Sequence, residues 1–131
     1  MASEILVVSQ DDTNRACVLQ ILAEAGYQTR GASTFEEGKR LLATTTPDLL
    51  IADERLGDFN GLHLILRGRA NHPDMAAIVT TGTRIKGLEI DARGLEIDCL
   101  VKPADARDWL QPVSQALATT AARRRTLQIA S

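Results

Sequence analysis

Pro47-Asp48-Leu49-Leu50-Ile51-Ala52-Asp53 decides the fold. A chain breaker and one acidic residue lead into four consecutive apolar side chains, and the run ends on a carboxylate. A strand with one wet face alternates polar and apolar residues. A short, continuously apolar run instead reads as a strand of a parallel sheet covered on both faces. Ile5-Leu6-Val7-Val8, mostly β-branched, repeats the pattern near the start of the chain.

Outward from these two runs, strand-like and helix-like stretches alternate. Val18, Ile21, Leu22 and Ala25 recur at helical spacing, and Gly26 is placed to end that helix. Tyr27 to Gly31 reads as a second, more polar strand. Thr34 with Glu37 forms a capping box for a helix that buries Leu41 and Leu42. Asp12 reads as the cap of the first helix. Beyond Asp53 comes a glycine-containing loop, Leu56 to Gly61, then a helix carrying Leu62, Ile65 and Leu66.

Met75 to Thr81 reads as strand four, and Cys99-Leu100-Val101 as strand five, stopped by Lys102-Pro103. A last helix has Asp105 as N-cap and Ala106, Trp109, Leu110, Val113 and Leu117 on one face. Pro112 inside it predicts a kink or a delayed start. Thr83 to Gly94 carries only a faint helical stripe. Gly87-Leu88-Glu89-Ile90-Asp91 recurs as Gly94-Leu95-Glu96-Ile97-Asp98, too short an echo for a repeat architecture. The expected organisation is one domain over residues 1–118. Residues 119–131 read as a C-terminal helix end or tail, in which Arg123-Arg124-Arg125 forms a solvated face. The repeated β-α order predicts an α/β fold, a doubly wound parallel sheet of five strands with helices on both faces.

Composition agrees with this and narrows the function. The 131 residues are 44% hydrophobic and 24% charged, which suits one ordinary globular domain. Such a chain buries about two-thirds of its unfolded surface without a metal or disulfide staple. A net charge of −2 argues against direct nucleic-acid binding through electrostatics. Cys17 and Cys99 have no metal-ligand spacing and read as reduced thiols. No apolar run is long enough to span a membrane, and Met1-Ala2-Ser3-Glu4 does not look like a leader, so the expected location is cytoplasmic.

In an open α/β sheet, ligands bind beyond the carboxyl ends of the strands. Those ends deliver Ser9, Gln10, Asp11 and Asp12 from strand one, and Asp53 from strand three. Strand four delivers Thr80, Thr81 and Gly82, and strand five Lys102. A carboxylate, a hydroxyl and an ammonium on one edge suit phosphoryl chemistry: the carboxylate attacks, and the other two meet the charge on the transferred oxygens. Each residue also has a bland reading. Asp53 is then a solvated strand end, Lys102 its structural ion-pair partner, and Thr81 a residue chosen for β-propensity. Three such groups at three strand ends favour the functional reading.

These residues resemble those of a response-regulator receiver domain, the phosphorylatable module of two-component signalling. The resemblance rests on Ile5-Leu6-Val7-Val8, Pro47 to Asp53, Asn60-Gly61-Leu62, Ile78-Val79-Thr80-Thr81-Gly82 and Leu100-Val101-Lys102-Pro103, from Glu4 to about Leu117. It implies a flavodoxin-like (βα)5 sheet with strand order 2-1-3-4-5. It also implies Asp53 as phosphoacceptor in a phosphorelay, Thr81 as the hydroxyl that turns toward the phosphoryl group, and Lys102 as the family's lysine. Arg55 would offer its backbone carbonyl to Mg²⁺, beside Asp53, and the Lys102–Pro103 bond would be cis. The implied partner is a histidine kinase or phosphotransfer protein, and the chain would be a signalling module and no enzyme.

The sequence departs from the family where the metal binds. Two acidic residues usually follow strand one, and here Ser9 and Gln10 stand there. Asp11 is the remaining carboxylate for that role, so Mg²⁺ binding is expected to be weak or absent. Cys99 occupies the switch position where an aromatic is common. Gly57 replaces a frequent proline, which should loosen the loop after Asp53.

Two functions follow. One is an atypical receiver that accepts a phosphoryl group on Asp53. The other is a phosphorylation-independent pseudo-receiver, a protein-interaction or dimerisation module that docks a partner or a second copy through its fourth helix, fifth strand and last helix, Trp109 included. A nucleotide-binding enzyme is disfavoured, because Ser9-Gln10-Asp11-Asp12 lacks the glycines of a phosphate loop.

Overall fold

The computed structural model describes residues 2–102 and 105–130. Five strands, β1 (Glu4–Val8), β2 (Gln28–Ala32), β3 (Leu49–Asp53), β4 (Ala76–Thr81) and β5 (Asp98–Val101), form one parallel sheet in the order β2-β1-β3-β4-β5. Helices α1 (Asp12–Glu24), α2 (Phe35–Thr44), α3 (Gly61–Asn71), α4 (Lys86–Gly94) and α5 (Leu110–Ala130) alternate with them. This is the doubly wound sheet expected from the β-α alternation, in the strand order that the resemblance implies. The Lys102–Pro103 bond lies outside the described residues.

The continuous apolar runs are explained by two cores, one per face. Side chains alternate along a strand. Leu6, Val8, Leu50 and Ala52 therefore meet Phe35, Leu42, Leu64 and Ile65 of α2 and α3, with Leu88 and Ala92 of α4. Ile5, Val7, Leu49 and Ile51 meet Val18 and Leu22 of α1 on the other face, and Val113 and Ala116 of α5. The edge strand β2 is more polar because less of it is covered.

Local chemistry sets the helix ends. Thr34 caps α2 by accepting the Glu37 N–H at 3.1 Å, and the Glu37 carboxylate accepts from Ser33 N–H at 3.3 Å. Asn60 caps α3 through the Leu62 N–H at 2.8 Å. Gly26 follows α1 with φ +99°, a conformation that suits glycine.

Several readings are corrected. Asp11, not Asp12, caps α1, accepting the Asn14 N–H at 2.9 Å. In α3, Leu64 faces the core while Leu66 is exposed. The loop after Asp53 contains a small antiparallel hairpin, Arg55–Leu56 with Phe59–Asn60. Asp105 caps a single 3₁₀ turn, Ala106–Trp109, and not α5 itself, which starts only at Leu110, the delayed start expected from Pro112. Pro112 then falls in the first turn of α5, where its missing N–H has no intrahelical partner to lose. Trp109 is buried in the sheet core, so it offers no docking surface.

In the carboxyl-terminal stretch the departure is at Arg124. Helix α5 continues through residues 118 and 119 to Ala130, with Thr120 buried. Arg124 is no free cation on a solvated face. It pairs with Asp48, at the amino end of β3, and with Asp74, just before β4.

Candidate functional site

The site lies at the carboxyl ends of β1, β3, β4 and β5, and sheet register assembles it. Val8 pairs with Ala52, so the residue after each, Ser9 and Asp53, come side by side. Asp53 pairs with Thr80, and Thr81 with Val101. The Lys102 N–H donates to the Thr81 carbonyl at 2.8 Å, which brings Lys102 to the same edge.

Asp53 is 6% exposed, so its charge needs partners. Ser9 Oγ donates to its Oδ2 at 2.7 Å. Thr80 Oγ1 donates to its Oδ1 at 2.7 Å, and Lys102 Nζ lies 3.4 Å from the same oxygen. Two of the three expected groups, Asp53 and Lys102, are thus in contact. Thr81 is one residue beyond Thr80, but its hydroxyl donates to the Thr83 carbonyl instead.

Sequence reasoning places Ser9 and Thr80 at strand ends but does not mark them as partners of Asp53. Their signal is position alone: Ser9 follows β1, and Thr80 stands in register with Asp53.

The loop after Asp53 is held from below and from across the site. Glu54 N–H donates to the Thr80 carbonyl at 2.7 Å, and Gly61 N–H to the Glu54 carbonyl at 2.8 Å. Gly57 has φ +64°, and its N–H donates to Gln10 Oε1 at 2.8 Å. The loosening expected from glycine is therefore opposed by a bond that a proline, with no N–H, cannot make.

These donors match Mg²⁺ poorly. The cation prefers carboxylate oxygens in near-octahedral geometry. Ser9 and Gln10 offer a hydroxyl and an amide, both already engaged. Asp11 is exposed and committed to its N-cap, while Arg55 is in the hairpin, opposite Asn60. Among the described residues no three His, Cys, Asp or Glu side chains cluster as a metal site. Asp53 is the single carboxylate at the centre, and an ammonium already adjoins it.

Cys99, which the resemblance implies as the switch position, is half-buried and packs on the side of α2, α3 and α4. Burial, aided by the charge of Glu89, pushes its thiol pKa up, which keeps it protonated and poorly nucleophilic. No helix among the described residues is long and apolar enough to cross a membrane.

Comparison with known proteins identifies the family and agrees with the fold. A family model, the response regulator receiver domain, matches residues 5–114. The chain is 33% identical over 118 residues, 88% of its length, to the DNA-binding transcriptional regulator NtrC of Azospirillum brasilense, of which it spans 24%. It is 30% identical over 109 residues, 79% of its length, to the photosynthetic apparatus regulatory protein RegA of Rhodobacter capsulatus, of which it spans 57%. The chain thus covers about half or less of the length of these curated relatives. A CheY-like receiver domain from Methanospirillum hungatei superposes with a TM-score of 0.86 at 25% identity, over 94% of this chain and 99% of that one. The chain belongs to the response regulator receiver domain family of two-component signalling.

Proposed function

We propose that this chain accepts a phosphoryl group on Asp53 from a phosphohistidine of a histidine kinase or phosphotransfer protein, and that it is a signalling module with no turnover of its own. An Asp53 oxygen attacks phosphorus, the P–N bond to the imidazole breaks, and the ring keeps the electron pair and takes a proton. The product is an acyl phosphate. Lys102 stands next to the attacking carboxylate and neutralises the oxygens it gains. Ser9 and Thr80 then exchange the carboxylate for phosphoryl oxygens as acceptors, and Thr81 has to leave the Thr83 carbonyl to join them. The observation that carries this reading is the Asp53–Lys102 pair, 3.4 Å apart at the ligand-binding edge of the sheet.

Intact-mass measurement after incubation with acetyl phosphate or phosphoramidate tests it. The expected result is a single added phosphoryl group, absent from Asp53→Asn and lost at alkaline pH. An unmodified wild type with every donor overturns it.

The second reading, a phosphorylation-independent interaction or dimerisation module, is favoured by one observation: both carboxylate oxygens of Asp53 already have donors within the chain. Its docking surface would include exposed Ile90 of α4 and Val101 of β5, beside α5. If Asp53→Ala preserved signalling in cells at normal abundance, this reading would replace the first.

A further inference from the structure

The end of β1 supports an inference that rests on the receiver reading but not on phosphorylation having occurred. We propose that Ser9 and Gln10 are positioning residues that hold Asp53 and its following loop by hydrogen bonds, making the order of this pocket independent of Mg²⁺.

Ser9 is 1% exposed and every polar group it has is engaged. Its N–H donates to the Ala32 carbonyl at 3.0 Å, and its carbonyl accepts from Arg15 Nη1 at 2.6 Å. Its hydroxyl accepts the Asp11 N–H at 3.3 Å and donates its one proton to Asp53 at 2.7 Å. That last bond is short and charge-assisted, the kind that fixes a carboxylate's orientation. A cation approaching Oδ2 would have to displace the Ser9 proton, with no second carboxylate to balance its charge. It would also meet the Lys102 ammonium on the opposite oxygen.

Gln10 holds the other side. Its Oε1 reaches the Gly57 N–H across 47 residues of sequence. Gly57 is complementary in two ways: it supplies an N–H, and it adopts φ +64°, which proline cannot. The two departures from the family pattern, glutamine for an acid and glycine for proline, are thus the two ends of one bond. Ser9 fixes the acceptor, Gln10 fixes the loop beside it, and neither bond needs an ion.

Amide NMR during MgCl₂ titration, at matched ionic strength, tests this on the unmodified wild type. The expected result is no saturable shift at Asp53, Glu54 or Gly57 up to tens of millimolar. Saturable shifts there overturn the proposal, because Asp11 or water would then be completing a metal site.

The variant Ser9→Asp with Gln10→Asp is expected to gain saturable Mg²⁺ binding in the millimolar range. Hydrogen exchange supplies a second readout that stands even if this variant fails to fold. Gln10→Ala should speed exchange of the Gly57 amide about five- to tenfold, and Gln10→Glu, which keeps an acceptor oxygen, should restore it. Unchanged exchange in Gln10→Ala overturns the role of Gln10. None of these measurements uses a phosphoryl donor. A chain that is never phosphorylated sinks the acceptor reading alone, and Mg²⁺ binding by the wild type sinks this one alone.

Discussion

Gly61 passes so close to Asp53 that a Cβ built on it would lie 2.0 Å from the Asp53 carbonyl oxygen. That atom is backbone, so no side-chain rotation relieves the clash. The start of α3 is thereby pressed against the Asp53 peptide, and only a residue without a side chain fits between them.

Gly61→Ala is therefore expected to move the Asp53 backbone and to cost about 1–3 kcal/mol of stability. Gly87→Ala is the control. Gly87 lies in the first turn of α4, and a Cβ added there would meet nothing within 4 Å. This second substitution should be neutral or stabilising by up to about 1 kcal/mol. Urea unfolding of the two variants checks this; equal midpoints would count against the close approach.

Thr80→Val removes one donor from a carboxylate that is almost fully buried, while nearly keeping the side chain's shape. The expected cost is about 1.5–3 kcal/mol, the range for hydrogen bonds to charged groups. Thr80→Ser keeps the hydroxyl and should recover most of it. If valine and serine behave alike, the Thr80 hydroxyl does not support Asp53.

The paired segments Gly87–Asp91 and Gly94–Asp98 allow the same substitution to be compared in the same local sequence. Ile90 is 62% exposed and Ile97 is 4% exposed. Ile97→Ala should cost about 2–5 kcal/mol, and Ile90→Ala should fall within about 0.5 kcal/mol of wild type. Thermal or urea unfolding separates them.

Acid should weaken the clamp on α5. Hydrogen bonding to Arg124 holds the Asp74 carboxyl below its ordinary value of 3.8. The folded form thus binds this proton less readily than the unfolded one. The stabilisation is complete above about pH 3.8 and is lost as pH falls through the lower folded value. Both side chains are partly exposed, so the advantage of wild type over Asp74→Asn should be at most about 1 kcal/mol at neutral pH. Stability curves of the two proteins should converge in acid and in high salt. A gap that persists unchanged would place its origin elsewhere.

Much of the site was legible because it depends on strand ends. A run of three to five apolar residues fixes where a strand stops, and Asp53, Thr81 and Lys102 follow by counting. What was missed depends on distance or on local ambiguity. Arg124 reaches Asp48 across 76 residues, and Gln10 reaches Gly57 across 47, beyond any local pattern. Asp11 and Asp12 are chemically identical neighbours, and only the backbone of Asp11, extended at φ −86° and ψ 109°, selects it as the cap. The twin Gly-Leu-Glu-Ile-Asp segments carry the limit furthest. In the first, Leu88 is buried and Ile90 is exposed; in the second, Leu95 is exposed and Ile97 is buried. One is helical and the other runs from the end of α4 to the start of β5, so tertiary surroundings, not the five residues, decide their faces.

Helix α5, about 30 Å long, is seated on the sheet by Val113 and Ala116 and hooked near its far end by Arg124. A rod fastened at one place can swivel; fastened at two, it keeps a fixed heading relative to the body that holds it. Asp48 and Asp53 stand just before and at the end of the same strand, one gripping the rod and the other held between Ser9, Thr80 and Lys102. The heading of α5 is therefore set by the strand that carries Asp53 and not only by the face of the sheet on which the helix lies.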